Sequence, residues 1–237
     1  MATFILVHGS WHGGWCWYKI IPLLESAGHR VMAPDLSSFG RDKTLPAMVE
    51  PNTWSDDICR LLDAAEEPVV LVGHSRGGMV ISQAAEARPD KVRRLVYVCA
   101  FLLADGQSVL DILLSDETSE VTRNVVVDEA AGHATLPEAS IRPALYGDCS
   151  AADVALARAL LQPEPLAPVA APIHLTTVNY GRIQRTYITC TRDRAITPAA
   201  QQRMHEATPC QRVIPMASDH SPFFSAPEEL ARHLTRA

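Results

Sequence analysis

Short aliphatic and β-branched runs alternate along the chain with longer stretches whose apolar residues recur at helical spacing. Residues 4–7, 29–33, 69–72, 95–98, 186–190 and 211–214 read as strands. Residues 17–27, 53–65, 77–88, 198–207 and 227–235 read as helices. The run Val69-Val70-Leu71-Val72 is apolar throughout, as befits a buried strand rather than one with a wet face. Strands alternating with helices predict βαβ units and a mostly parallel, doubly wound sheet covered on both faces, an α/β fold.

One stretch breaks the rhythm, from about residue 102 to 182. It opens with an acidic, polar segment at 115–120, continues with helical periodicity over 151–161, and then carries Pro163, Pro165, Pro168 and Pro172. Residues 1–101 and 183–237 therefore read as one core, and 102–182 as an inserted, largely helical lid over whatever site the core builds. A chain of 237 residues suits one such domain better than two.

Composition narrows the partners. A net charge of −6 argues against a nucleic-acid or anionic-membrane surface. No apolar run approaches the ~18 residues that would span a bilayer. The opening residues, Met1 to Gly9, carry no basic leader and enter a strand almost at once, so a cytoplasmic location is expected. Six scattered cysteines without a C-x-x-C pair read as free thiols acting as small apolar groups. His8 and His12 are four apart, but Gly9, Gly13 and Gly14 make that stretch a loop, and there is no H-E-x-x-H. Neither a metal nor an organic cofactor is expected. The oligomeric state, monomer or homodimer, is open at this level.

The strongest chemical signal is Gly73-His74-Ser75-Arg76-Gly77, a G-x-S-x-G directly after a strand and before a helix. In a nucleophile elbow the chain turns sharply there and presents the serine hydroxyl, while glycines on either side avoid collisions. Such a serine needs a base, an acid that orients the base, and two amides to hold an oxyanion. His220 is the best-placed base, after the last strand and before the final helix. Asp193, on the loop after strand 186–190, is the expected acid; Asp105, just beyond strand 95–98, is its competitor. Asp219 adjoins His220, too close in sequence to face it. The oxyanion amides are expected from Arg76, after the nucleophile, and from Ser10 in the glycine-dense loop after the first strand. That loop has neither G-x-G-x-x-G nor P-loop spacing, which disfavours a nucleotide.

With these residues in view the chain resembles the α/β-hydrolases that include plant methyl-ester esterases, plant hydroxynitrile lyases and related bacterial esterases. The segments that carry the likeness are Val7 to Trp17, Pro22 to Val31, Tyr187 to Asp193 and Asp219-His220. The resemblance implies an α/β-hydrolase fold with Ser75, Asp193 and His220 as triad and the Ser10 and Arg76 amides as oxyanion hole. It favours Asp193 over Asp105. Hydroxynitrile lyases of this group typically carry threonine where Gly9 stands and lysine where Ser221 stands, so the departures point towards the esterases. Arg76 replaces a residue that is often apolar, and its side chain is expected to point to solvent, its amide alone taking part.

The expected activity is hydrolysis of a small-molecule carboxylic ester through an acyl-enzyme on Ser75. Trp11, Phe101 and the 151–161 helix would line the pocket under the lid. The alternatives are a hydroxynitrile lyase or another C–C bond-cleaving hydrolase, and a non-catalytic ligand-binding protein on the same fold.

Overall fold

The computed structural model describes residues 1–236. The core begins with strands β1 (Thr3–Val7), β2 (Arg30–Met32), β3 (Val69–His74) and β4 (Val92–Val98). The inserted segment adds three short strands, β5 (Val126–Asp128), β6 (His133–Thr135) and β7 (Glu164–Pro165), before β8 (Arg185–Cys190) and β9 (Arg212–Met216) complete the core. Core helices are α1 (Ile20–Ser26), α2 (Thr53–Ala64) and α3 (Gly77–Ala87). The insertion supplies α4 (Val109–Ser115), α5 (Glu120–Asn124), α6 (Glu138–Leu145), α7 (Ala151–Leu160) and α8 (Leu166–Ala170). After it come α9 (Pro198–Ala207), α10 (Pro222–Ser225) and α11 (Pro227–Arg236).

Six strands form one parallel sheet in the order β2-β1-β3-β4-β8-β9. Alternate residues of the buried strands feed two apolar layers. Ile5, Leu71, Leu95 and Tyr97 face α2 and α3, with Trp54, Ile58 and Val80. Phe4, Leu6, Val70, Val72, Val96 and Val98 face α1 and α11, with Ile20, Leu24 and Leu230. This two-sided cover is why β3 has no polar alternation. At the edge, β9 is mostly exposed and tolerates Pro215, whose missing N–H would break an interior ladder.

Register matters more for function than composition does. Val7 pairs with Gly73, His74 with Val98, and Cys190 with Met216. Because these strands run parallel, the loops at 8–14, 75–76, 99–105, 191–197 and 217–221 emerge at one edge of the sheet. Ligands of open α/β sheets bind at that carboxyl edge.

The insertion differs from the expected helical lid. It contains a small antiparallel sheet, β5-β6-β7, whose strands are three, three and two residues long, too short to leave a period in the sequence. The acidic segment at 115–120 is no free polar loop: Asp116 is buried and accepts from Thr197 N and Oγ1 at 2.9 and 2.8 Å. Ser119 Oγ donates to the Ala195 carbonyl at 2.7 Å. The insertion is thereby fastened to the loop that follows β8. No helix among the described residues is long and apolar enough to cross a membrane.

Candidate active site

Ser75 lies between β3 and α3 with φ of 53°, in the left-handed region that a non-glycine residue enters at a cost of about 1–3 kcal/mol. The surroundings hold it there. Its N–H donates to the Val98 carbonyl at 3.2 Å, and its carbonyl accepts from Gly78 N at 3.0 Å and Phe101 N at 2.9 Å. A Cβ on Gly77 would stand 2.7 Å from the Val7 carbonyl oxygen, so the sharp turn against β1 requires glycine there. This is the elbow anticipated from the motif.

On the loop after β9, His220 is buried, and its Nδ1 donates to Asp193 Oδ2 at 2.8 Å. Asp193 is equally buried. Its Oδ1 accepts from Ala195 N at 2.7 Å and Ile196 N at 3.0 Å, while Gln201 Nε2 donates to Oδ2 at 3.1 Å. Four donors around one carboxylate fix its plane. The His220 main chain is tied to the elbow: its carbonyl accepts from His74 Nε2 at 2.7 Å, and the two imidazole rings lie 4.7 Å apart. His220 is thus aligned from the Asp193 side and brought beside Ser75's neighbour, although no Ser75–His220 hydrogen bond is formed in this structure. Catalytic hydrogen bonds often tighten only when substrate is present.

The competing carboxylates do other work. Asp105 has a 63% exposed side chain and holds the Leu175 N–H at 2.9 Å, away from the buried histidine. Asp219 faces away from His220's ring, accepting from Asp148 N at 2.9 Å and Ser225 Oγ at 2.9 Å, and so pins the loop to the start of α7's connection.

A cavity of about 60 Å³ meets Ser10, Trp11, Ser75 and Phe101. Both Trp11 and Phe101 thus line the cavity that Ser75 borders, with Trp11 Nε1 donating to the Ala134 carbonyl at 3.0 Å. Most of the remaining wall is apolar and comes from the insertion, including Val109 and Leu113 of α4, Val121 of α5 and Leu166 of α8; Glu164 and, from the loop after β8, Ala195 and Ile196 complete it. The 151–161 helix is not part of it. Instead α7 packs Val154 and Ala157 into the apolar layer around Trp17 and Tyr146, and Asp153 pairs with Lys19 at 2.8 Å. Its periodicity marked a buried face, but not which face of the molecule it would cover. Neither the Ser10 nor the Arg76 N–H donates to another group among the described residues, which leaves both amides available.

The Arg76 side chain does not point to solvent. It is completely buried, with Nε 2.8 Å from Glu164 Oε1 and the guanidinium 3.9 Å from the Trp54 ring centroid. A planar cation stacked on an indole and paired with a carboxylate is a stable way to bury a guanidinium. Glu164 is 88 positions away, so the pattern around the motif carried no sign of its partner. Gln201 was equally invisible, being one polar residue within a helix.

Around the elbow His8, His12 and His74 are also buried. Burial, with help from neighbouring positive groups, pushes His12 down to about 3 and His8 and His74 well below the usual imidazole range. They are neutral hydrogen-bonding groups. His74, Cys99 and His220 bring three donor atoms within 4.8 Å of one another. Since His74 Nε2 and His220 Nδ1 are both engaged in hydrogen bonds, this cluster aligns the histidine loop.

A parallel sheet with a strained serine at a strand–helix turn, and a buried His–Asp pair on later loops, defines an α/β-hydrolase architecture. The sequence model of the alpha/beta hydrolase family matches residues 4–233, and the chain belongs to that family. Methylesterase 1 of Arabidopsis thaliana is 33% identical over 98% of this chain and 94% of its own length. Longer chloroplastic relatives from the same plant are matched only in part: the chain spans 62% of the first, at 35% identity, and 55% of the second. The crystal structure of polyneuridine aldehyde esterase superposes with a TM-score of 0.89 at 28% identity, over 100% of this chain and 98% of that one. A pyrethroid hydrolase from Sphingobium faniae also gives 0.89, at 27% identity over 99% and 96%.

Proposed function

We propose that this chain is a serine carboxylesterase acting on small to medium carboxylic esters, methyl and aryl esters among them. The observation that carries the reading is the shared geometry of one strained serine lining a largely apolar cavity and one buried His–Asp pair whose loop is tied to the elbow through His74. Ser75 Oγ attacks the ester carbonyl while His220 Nε2 takes its proton. Asp193 holds Nδ1–H, fixes the tautomer and stabilises the imidazolium. The Ser10 and Arg76 amides receive the oxyanion, and His220 returns the proton to the leaving alcohol. A water activated by His220 then releases the acid. None of these steps calls on a metal or an organic cofactor.

Relatives named as methylesterases and structural neighbours named as esterases support the ester class. The 102–182 segment acts as a lid. Its α4, α5 and α8 wall the cavity beside Ser75, and they open to admit the ester. Gly9 weighs against a hydroxynitrile lyase. A Cβ there would stand 2.7 Å from Ser75 Cβ and 2.9 Å from His74 Nδ1, leaving no room for a substrate-orienting threonine. A cytoplasmic location fits the six free thiols, five of them buried, and fractionation of the native host tests it.

The decisive experiment is Ser75→Ala against a panel of p-nitrophenyl and aryl methyl esters with mandelonitrile included. Ester turnover is expected to fall by at least about 10³-fold with the fold intact. Retained turnover, or cyanide release outpacing every ester, would overturn the reading.

A further inference from the structure

We infer that the buried Arg76 side chain is a positioning residue for the oxyanion hole, aiming the Ser10 amide through the Gly9 carbonyl, with Glu164 as its partner. This rests on the esterase reading of the site.

The peptide unit between Gly9 and Ser10 is planar and trans, so the Gly9 carbonyl and the Ser10 N–H point in opposite directions from one rigid plane. Fixing the carbonyl fixes the N–H. Arg76 Nη2 donates to that carbonyl at 3.1 Å, and His8 Nδ1 donates to it at 2.9 Å. His8 Nδ1 is the protonated nitrogen, because Nε2 accepts from Leu36 N at 3.2 Å. On the far side of Ser10 the next peptide plane is held as firmly. The Ser10 carbonyl accepts from His12 Nδ1 at 2.6 Å, and the Trp11 N–H donates to Glu164 Oε2 at 3.0 Å. Tyr146 Oη donates to His12 Nε2 at 2.5 Å, which keeps the His12 proton on Nδ1. Glu164 Oε1 then closes the circuit by accepting from Arg76 Nε at 2.8 Å.

One ion pair therefore grips both peptide planes that flank Ser10, one through a cation and the other through a carboxylate. Trp11, whose φ is 62°, would be free to relax if that grip were lost. A cation on the carbonyl also draws electron density from the amide and makes the opposite N–H a stronger donor. Residue 76 thus serves both halves of the hole, lending its own amide to one and steering the other through its side chain.

Stability alone is a poor account of this arrangement. Arg76 Nη1 is buried without a partner, and buried ion pairs are often no more stable than apolar replacements. A group kept at that cost points to geometry that a methionine or leucine could not impose.

The test uses Arg76→Met, which keeps length and packing on Trp54, and the double variant Arg76→Met/Glu164→Gln, which leaves neither charge buried alone. Complete loss of an oxyanion donor lowers kcat ~10²–10³-fold, so a misaimed donor is expected to lower it about 10–100-fold. KM for p-nitrophenyl acetate should stay within about twofold. A trifluoromethyl ketone, which adds Ser75 and forms the oxyanion, should lose affinity by the same factor as kcat. The matching methyl ketone, which forms no adduct, should bind as before. Arg76→Lys, with its charge but no fork, should recover only part of the rate. If the double variant melts cooperatively and keeps wild-type kcat, or if kcat falls while trifluoromethyl ketone affinity does not, the inference is wrong. Should Arg76→Met not fold, the double and lysine variants decide. The parent reading is separated by Ser75→Ala: an unmodified enzyme whose ester turnover ignores that change sinks the esterase proposal, whereas Ser75-dependent turnover unaffected by the Arg76 variants sinks only this one.

Discussion

Asp193 and Asp105 show how a single residue's surroundings decide its role. Asp193 meets a buried ring nitrogen, two amides and a glutamine, whereas Asp105 lies exposed beside one loop amide and the likewise exposed His174 ring. Asp193→Asn should lower kcat by about 10²–10⁴-fold, because an amide in that place can hold the imidazole in the wrong tautomer. Asp105→Asn should leave kcat within twofold of wild type, a roughly neutral surface change. Parallel steady-state kinetics on one aryl ester checks both, and the reverse order would reassign the acid. Gly9→Thr is the complementary test at the loop. Its side chain would be driven into Ser75 Cβ, so ester turnover should collapse and no mandelonitrile cleavage should appear. Cyanide release by that variant would show that the loop has room the structure denies it.

At the scale of elements, the insertion divides into a part that lines the cavity and a part that packs on the core. α4, α5 and α8 line the cavity with Val109, Leu113, Val121 and Leu166. α7 contributes Val154 and Ala157 to the packed layer beneath Trp17. Leu113→Ala or Leu166→Ala should enlarge the pocket and shift preference towards longer acyl chains, seen as a changed ratio of kcat/KM between p-nitrophenyl acetate and hexanoate. Val154→Ala should leave that ratio alone while lowering stability by about 2 kcal/mol in urea unfolding, as cavity-forming changes do. The periodicity of 151–161 was legible in the sequence, and its burial followed from it. Its location did not, because a helical stripe announces an apolar partner without saying which one. The β5-β6-β7 sheet left no such trace at all: Val126 and Val127 are exposed, so the strand shows no alternation to read.

For the molecule as a whole, the cluster of neutral histidines ties stability to pH. His8, His12 and His74 titrate well below the usual range when folded, chiefly through burial, with His12 at about 3. In the unfolded chain such groups titrate near ~6.5. Well above that pH they are neutral in both states and change nothing. Below it the unfolded chain binds protons that the folded protein refuses, so stability falls as pH falls from about 6.5 towards the folded values. Each group should cost roughly 1 kcal/mol per pH unit in this window. Urea midpoints measured at pH 7.5, 6.5 and 5.5 should fall about three times as much over the second interval as over the first. A level midpoint throughout would mean that these histidines are protonated in place. His74→Gln, which removes one of the three groups, should flatten the drop by about a third.

The sequence by itself determined the alternation of strands and helices, the elbow at Ser75 and the loops that carry Asp193 and His220. These depend on local rules: which residues tolerate a buried strand, which tolerate a sharp turn, and where a parallel sheet must put the ends of its strands. Only the tertiary structure decided what meets across distance. Glu164 on Arg76, Gln201 on Asp193, α7 against Trp17 and α4 over the cavity are pairings between segments whose own patterns are satisfied by any partner of the right polarity. A buried charge shows this most clearly. Nothing near Arg76 in sequence marks it as buried, because the carboxylate and the indole that make its burial tolerable arrive only when the chain has closed around it.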